Sequence, residues 1–346
     1  MASFLDTIMR WFGLSSPAES QSTFTPEDAD LAIATLEEPE QPEGPVWWIP
    51  IGAPVYEQPD YRSQVSGADV ALHEHLSQIL DNPDVELPQI PAIAQRALVL
   101  TRNDDVDYRQ LSAVVEQDPV LTAEFLRVAN SVAFRGTSEV RRLDLVFARL
   151  GSRRLRSLLL AATLKGEAIR TGPGPRSLGQ ELWRRSVASS VVASSLCSYA
   201  SLNEEEAFLL GLLHDIGLIA VLKVVSDYQR RTSRKVARAV FDSIAQEWHE
   251  HLGLRLADMW NLPDPLPQVI ASHHREPSPG DALEKSRLLV MVCDAAVTLM
   301  GFAPPYVPYD FLNLPCVRRL GLDSDSKALT RLRALPREIE QRMTMI

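Results

Sequence analysis

The sequence is poor in cysteine and lacks a long uninterrupted apolar run. Its three cysteines, Cys197, Cys293 and Cys316, are widely spaced and form no C-x-x-C pair, which favours free, mostly buried thiols in a reducing cytosol. No continuous apolar stretch reaches the roughly 18 residues that a membrane-spanning helix needs. We therefore expect a cytoplasmic protein without a transmembrane segment.

Basic residues are missing from one long segment, and this segment carries all the excess negative charge. The formal net charge is −10, yet residues 15–60 contain ten Asp and Glu and neither Lys nor Arg. Residues 61–346 contain 34 acidic and 34 basic side chains and are therefore neutral as a whole. A neutral body lacks the general electrostatic attraction on which nucleic-acid binding depends. We expect no nucleic-acid partner.

The first 67 residues have the composition of a tail. Residues 1–14 are predicted to contain a short amphipathic helix, which docks on the body, on a partner or on a membrane surface. Residues 15–67 form an acidic, proline-rich linker that is predicted to be disordered. An apolar island at 45–50 holds Trp47 and Trp48 and either packs on the folded body or serves as a short motif for a partner.

From Ala68 onward the apolar residues recur at spacings of three and four, which predicts an all-α fold. A Gly-Pro-Gly-Pro turn at 172–175 divides the domain 68–302 into an N-lobe, 68–171, and a C-lobe, 176–302. Residues 303–346 are predicted to form closing helices. Asn203, with Glu206 three positions later, indicates a capping box at a helix start.

One apolar stretch, residues 207–222, contains a polar pair in its middle, His214 and Asp215. Burying either side chain without a partner costs several kcal/mol. The pair is therefore either a core polar pair with partners nearby or one half of a metal site. Candidate partners follow later in the chain at His249, His251, His273, His274 and Asp294.

Several blocks, in the same order along the chain, resemble the HDOD domain of bacterial signalling proteins. They are LPQIPAIAQRALVL at 87–100, EQDPVLTAEFLRVANSVAFRG at 116–136, ARLGSRRLRSLLL at 148–160, AFLLGLLHDIG at 207–217, HEHLGLRLADMWNLP at 249–263 and IASHH at 270–274. The resemblance implies a two-lobed helical domain with an HD-like C-lobe. This lobe is related to metal-dependent phosphohydrolases and to HD-GYP phosphodiesterases. Most HDOD proteins are regarded as regulatory.

The same resemblance implies roles for the polar residues. His214, Asp215 and Asp294 match the metal ligands of HD phosphohydrolases, and His249, His273 and His274 match the further ligands of HD-GYP proteins. The first histidine of the pattern is absent, and Arg185 stands in its place. HD-GYP enzymes also usually carry a Lys where this chain has Leu218, and no GYP-like triplet follows.

Arginine is always cationic and is never a metal ligand. Arg185 beside the two carboxylates would repel a divalent cation and bridge them as an ion pair. We therefore expect a degenerate HD site with no catalytic residue and no bound metal; if a metal binds, the expected ligands are His214, Asp215 and Asp294. Residual metal binding through the remaining ligands and hydrolase activity are the alternatives.

Arginines concentrate in one further segment, at Arg149, Arg153, Arg154 and Arg156. This patch is interpreted as a solvated helix face or as a docking surface for the acidic tail. Binding of an anionic second messenger such as a cyclic dinucleotide is the sharper alternative. Nucleic-acid binding is the least favoured interpretation of this arginine patch.

Together these features predict a non-catalytic signal-transduction protein that binds other signalling proteins. The main alternative is a metal-dependent phosphohydrolase or cyclic-dinucleotide phosphodiesterase with an altered metal shell.

Overall fold

The computed structural model describes residues 60–101, 105–118, 121–123, 125–126, 142–170, 178–303 and 310–343. Within these ranges every regular element is a helix, which confirms the predicted all-α fold. The predicted helix at 1–14, the Trp47-Trp48 island and the turn at 172–175 lie outside the described residues.

In the described part of the chain before residue 171, five α-helices have both ends defined, and a 3₁₀ turn at Arg62–Gln64 precedes them. They are α1 Ala68–Asp81, α2 Ala92–Leu100, α3 Tyr108–Val115, α4 Leu143–Leu150 and α5 Ser152–Arg170. Helices α2 to α5 pack on one another, around side chains that include the fully buried Phe125 and Phe147.

The part of the chain from residue 178 contributes the helices that surround His214 and Asp215. They are α6 Leu178–Ser195, α7 Glu204–Leu213, α8 Ile216–Thr232, α9 Arg238–Met259, α10 Leu266–Ile270 and α11 Glu284–Leu299. Two closing helices follow, α12 Pro315–Arg319 and α13 Ser326–Met343, and α13 packs against α6.

Helices α7 and α8 are almost contiguous in sequence, because only His214 and Asp215 separate them. Asn203 caps the start of α7, since its side chain accepts a hydrogen bond from Glu206 N at 2.9 Å, as the sequence predicted. By length and composition Glu204–Thr232 is apolar enough to cross a membrane, but 94% of its most apolar window is buried inside the protein. This burial is the pattern of a core helix that packs against its neighbours.

Glycines allow two pairs of helices to approach closely. A Cβ atom at Gly217 of α8 would lie 1.8 Å from the carbonyl oxygen of His249 in α9, and one at Gly211 of α7 would lie 2.4 Å from that of Ser189 in α6. Both contacts are with backbone atoms, so a side chain could not move aside to make room. The backbone at the break between α7 and α8 is therefore held directly against α6 and α9.

Helix α1 packs against α9 of the C-lobe, although its place in the sequence would group it with the N-lobe. The buried His73 of α1 forms a hydrogen bond with Ser243 of α9, with Nε2 and Oγ 3.0 Å apart. The division into lobes at 68–171 and 176–302 remains a prediction.

Candidate functional site

The structure brings together all seven residues of the predicted HD-like site. Arg185 comes from α6, and His214 and Asp215 from the break between α7 and α8. The others lie on α9, on the turn after α10 and on α11, and they are His249, His273, His274 and Asp294. His251, two positions after His249, is exposed, because residues two apart lie on different faces of a helix.

Arg185 lies between the two carboxylates. Its Nη2 atom is 2.8 Å from Asp215 Oδ2, and it donates a hydrogen bond to Asp294 Oδ1 at 3.2 Å. The side chain of Asp215 is only 3% exposed and that of Arg185 is 21% exposed. The predicted ion pair therefore exists with both carboxylates, and it is largely shielded from water.

His214 supplies a second positive charge to the same carboxylates. Its Nε2 atom lies 3.0 Å from Asp294 Oδ1 and 3.2 Å from Asp215 Oδ2, while Nδ1 lies 3.0 Å from the carbonyl oxygen of Gly211. Burial alone would lower the pKa of His214, but the two carboxylates outweigh burial and raise this pKa to about 10. Both ring nitrogens then carry protons and both face acceptors.

The carboxylates respond to these cations in turn. Burial would raise the pKa of Asp215, but Arg185 and His214 hold it well below its usual value. Burial would also raise the pKa of Asp294, but His214 and Arg185 keep the pKa of this carboxyl below its usual range. The buried His214 and Asp215 and the partly buried Arg185 and Asp294 thus form a compact network of two cations and two anions.

The remaining histidines lie on the other side of Asp215. His249 Nε2 is 3.3 Å from His273 Nε2 and 2.9 Å from His274 Nε2. Asp215 Oδ1 lies 3.4 Å from His273 Nε2 and 3.8 Å from His249 Nε2. Burial, together with the charge of His273, lowers the pKa of His249 to about 4, so this imidazole is neutral at pH 7.

Asp215 therefore divides its two oxygens between two environments. Oδ2 faces the cations Arg185 and His214, whereas Oδ1 faces the imidazoles. Neither buried oxygen accepts a well-aligned hydrogen bond within the described part of the chain. A buried carboxylate oxygen without such a bond is costly, and the nearest nitrogen that could donate to Oδ1 is His273 Nε2, at 3.4 Å.

The site has two parts, one around Arg185 and one around the histidines, and they differ in how well they fit a metal ion. His214, Asp215 and Asp294 offer ligand atoms within 4.8 Å of one another, but Arg185 Nη2 already contacts both carboxylates, so this half does not fit a divalent cation. Asp215, His249, His273 and His274 meet the same distance condition and present nitrogen and oxygen donors. Such donors suit first-row transition metals, so the second half fits.

A small pocket leads from the surface to this site. It has a volume of about 80 Å³, reaches Arg185, Asp215, His249 and His274, and is bordered by Tyr61. Sites for drug-sized ligands and cofactors usually measure about 300–1,000 Å³. The pocket therefore has room for a few waters or an ion, but not for a nucleotide in this conformation.

The four arginines of the predicted patch make different contacts. Arg154 pairs with Glu205 of α7 at 3.1 Å, and Arg156 donates a hydrogen bond to the carbonyl oxygen of Thr101. Arg156 also lines a groove of about 550 Å³ between α2, α5 and the junction of α9 with α10. Arg149 and Arg153 are exposed. The patch thus contains two exposed and two partly buried side chains.

Sequence reasoning missed one residue of the site and one at its entrance. The Glu250 carboxylate accepts a hydrogen bond from the backbone N–H of His274 at 3.2 Å, which fixes the turn that carries the histidine pair. The position of Glu250 between two histidines, at 249–251, was the sequence signal that could have indicated it. Tyr61, whose N–H donates to Gln246 Oε1 at 3.2 Å, borders the pocket, and no sequence pattern marks it.

Comparison with known proteins identifies the family. The family model for the HDOD domain matches residues 87–276, which is more than half of the chain. An uncharacterized protein of Treponema pallidum (strain Nichols) is 23% identical over 276 residues, or 78% of this chain. The chain spans about half of that relative, 52% of its length.

Solved structures show the same fold. The crystal structure of an HDOD domain protein of unknown function from Geobacter sulfurreducens is 23% identical, with a TM-score of 0.57, over 80% of this chain and 98% of that one. A protein from Marinobacter aquaeolei VT8, provisionally named a signal transduction protein, is 21% identical with a TM-score of 0.56, over 82% and 67%. A provisionally named metal-dependent phosphohydrolase from Shewanella amazonensis SB2B is 18% identical with a TM-score of 0.52, over 78% and 99%. The family match and the helical fold agree, and the chain belongs to the HDOD domain family.

Proposed function

We propose that this HDOD protein is a non-catalytic component of bacterial cytoplasmic signal transduction that acts by binding other signalling proteins. Membership of the family supports a signalling role, and a protein of similar fold is provisionally named a signal transduction protein. The conclusion that it binds rather than hydrolyses depends on the chemistry of the HD-like site.

The observation that carries this proposal is the position of Arg185, whose Nη2 atom contacts both Asp215 at 2.8 Å and Asp294 at 3.2 Å. A hydrolytic metal needs open coordination positions for water and phosphate. A guanidinium has no such position, and it repels a divalent ion that approaches the same two carboxylates. The small volume of the pocket, about 80 Å³, also argues against a nucleotide substrate.

The first prediction concerns hydrolysis. The untagged wild-type chain is expected to cleave neither bis(p-nitrophenyl) phosphate nor a cyclic dinucleotide in the presence of Mn²⁺, Mg²⁺ or Fe²⁺, because Arg185 excludes the reacting metal. Product release is measured by absorbance and by chromatography, beside an Asp215→Asn variant as the inactive reference. Metal-dependent turnover by the wild type that is lost in Asp215→Asn would overturn the proposal.

A metal-dependent phosphohydrolase or cyclic-dinucleotide phosphodiesterase is the second candidate, favoured by the donors of Asp215, His249, His273 and His274. These residues would hold the ion, which supplies a Lewis acid and lowers the pKa of a bound water. In this chain Asp215 and the histidines would position the ion, while Arg185 would hold the neighbouring carboxylates. The same assay separates the two candidates.

A second prediction concerns an anionic partner. If a cyclic dinucleotide binds at the exposed pair Arg149 and Arg153, Arg149→Ala/Arg153→Ala should weaken binding about tenfold or more, because charge-assisted hydrogen bonds to phosphate are lost. Calorimetry at two salt concentrations measures the affinity, and Arg231→Ala/Arg234→Ala controls for the change in net charge. Absence of binding by the wild type, or equal loss in both variants, would remove the dinucleotide from the proposed partners.

A further inference from the structure

We infer that residues 45–50 of this same chain, which include Trp47 and Trp48, dock in the groove between α2, α5 and the junction of α9 with α10. Residues 45–50 are hereafter called the tryptophan segment, and the groove is called the Met259 groove. The contact is intramolecular and goes beyond the proposed function, because it requires neither a partner nor the HD-like site.

The Met259 groove is large, and its rim carries exposed apolar side chains. Its volume of about 550 Å³ lies within the range of about 300–1,000 Å³ that is usual for ligand sites. Only three large apolar side chains are exposed in the described part of the chain, and two of them, Val99 at 51% and Met259 at 37%, line this groove. Exposed apolar side chains that share one surface indicate an interaction site.

The chemistry of the groove suits indole rings. Met259 contributes a thioether, which packs favourably against aromatic rings, and Pro263 and Pro267 contribute apolar ring surfaces. A buried tryptophan also needs an acceptor for its indole N–H. The exposed carboxylates of Asp258 and Asp264 lie on the same side of the groove and can supply one acceptor for each of the two indoles.

The point at which the described chain begins places the tryptophan segment within reach of the groove. The N–H of Tyr61 donates to Gln246 Oε1 of α9 at 3.2 Å, and the rise of α9 puts Met259 about 20 Å along the helix from Gln246. The chain between Trp48 and Tyr61 spans up to about 40 Å when extended. A flexible chain of this length has a root-mean-square span of about 20 Å, and a linker gives the highest effective concentration when its span matches the separation of the two sites.

Charge gives the docked segment a preferred direction. Four glutamates at 37–43 precede the tryptophan segment. On the α5 side of the groove, Arg156 lines the wall, and the exposed Arg153 lies three positions earlier on the same helix. The opposite side carries Asp258 and Asp264, which repel the glutamates. Exposed ion pairs contribute little, so the arginines orient the segment while the indoles supply most of the affinity.

The tryptophan segment is also a better occupant than the apolar residues 3–14. The chain from Trp11 to Tyr61 is about four times as long as that from Trp48, and this lowers the effective concentration about sevenfold. Pro45 and Pro50 flank the tryptophan segment, and proline limits the backbone to extended geometry around it. Less conformational freedom is then lost on docking.

A docked tryptophan segment would compete with any protein that uses the Met259 groove. A short linker holds its segment at an effective concentration in the millimolar range, so a partner would have to displace it. This consequence alone rests on the proposed function, and the docking itself does not.

The first test uses the full untagged chain with ¹³C-labelled methionine methyl groups. The Met259 signal is assigned with Met259→Leu. Trp47→Ala/Trp48→Ala is expected to shift this signal by more than its linewidth, because the ring currents of the indoles are lost, whereas Trp11→Ala should leave it in place. An unchanged signal in Trp47→Ala/Trp48→Ala would overturn the inference, and so would a shift caused by Trp11→Ala alone.

A second test measures competition with a fluorescent peptide of residues 40–56. By fluorescence anisotropy, Trp47→Ala/Trp48→Ala is expected to bind the peptide at least tenfold more tightly than the wild type, because its groove is vacant. Adding Val99→Glu should abolish this binding. Leu145→Glu is the matched control, since Leu145 is 53% exposed and does not line the groove, and it should have no effect. Equal affinity of the wild type and Trp47→Ala/Trp48→Ala would contradict the inference.

Protein concentration separates docking within one chain from docking between two copies. The Met259 signal is expected to be independent of concentration, and sedimentation velocity should show no dimer that is lost in Val99→Glu. A shift that grows with concentration together with such a dimer would assign the groove to a second copy and overturn the inference. A docked segment in a chain that binds no signalling protein contradicts only the proposed function, and partner binding without a docked segment contradicts only this inference.

Discussion

Gly217→Ala is expected to destabilise the protein by more than about 4 kcal/mol, or to prevent its recovery in soluble form. The new Cβ atom would lie 1.8 Å from the carbonyl oxygen of His249 and 2.8 Å from the amide nitrogen of Gly253. Both are backbone atoms of α9, so α8 and α9 must separate. Because Asp215 directly precedes α8 and His249 lies on α9, their separation should also open the candidate site.

Chemical denaturation followed by circular dichroism measures the effect on the free energy of unfolding. Gly166→Ala in α5 is the matched control, since nothing lies within 4 Å of its added Cβ. This control should be neutral or more stable by about 0.5–1 kcal/mol, because alanine favours the helix over glycine. A Gly217→Ala variant within about 1 kcal/mol of the wild type would show that α8 and α9 do not approach as closely as described.

Arg185→Met is expected to lower the free energy of unfolding by about 3 kcal/mol. The change leaves Asp215 and Asp294 buried with only His214 as a counter-charge. The expected loss is at the lower end of the range for a broken buried pair, since His214 still contacts both carboxylates at 3.2 and 3.0 Å. Unfolding is measured in buffer that contains a chelator, so that no metal replaces the missing cation.

The exposed neighbour Arg184 provides the control, and Arg184→Ala should change stability by no more than about 0.5 kcal/mol. Combining Arg185→Met with Asp294→Asn should recover part of the loss, because it also removes one of the uncompensated anions. Equal stability of Arg185→Met and Arg184→Ala would mean that Arg185 does not balance the buried carboxylates.

Much of the helical fold could be predicted because it depends on local patterns. Apolar residues at spacings of three and four predict helices wherever they occur, and the Asn203 cap concerns atoms only three residues apart. The packing of α1 on α9 could not be predicted in this way. It depends on contacts such as that between His73 and Ser243, which are 170 positions apart and leave no periodic signal.

The residues of the candidate site, like the fold, could be predicted only in part from the sequence. His214 and Asp215 were recognisable because charged and imidazole side chains are rare within apolar helices and need partners there. The choice of Arg185 and the assignment of the other four residues to the site came from the resemblance to HD-type proteins. The exposure of Arg149 and Arg153 and the pairing of Arg154 were not recognisable. A run of arginines does not reveal which of them faces an acid such as Glu205 on another helix.

The sequence by itself determined the all-helical fold, through local apolar spacing. It also determined the family and the presence of Arg185 where the resembling HD proteins have a metal-binding histidine, through the order of the blocks that resemble HDOD domains. Only the tertiary structure decided that Arg185 contacts Asp294, 109 positions away, and that Asp215 turns one oxygen to the cations and the other to the histidines. Helix crossings determine these contacts. They depend on close packing at residues such as Gly217, where the backbones of α8 and α9 meet.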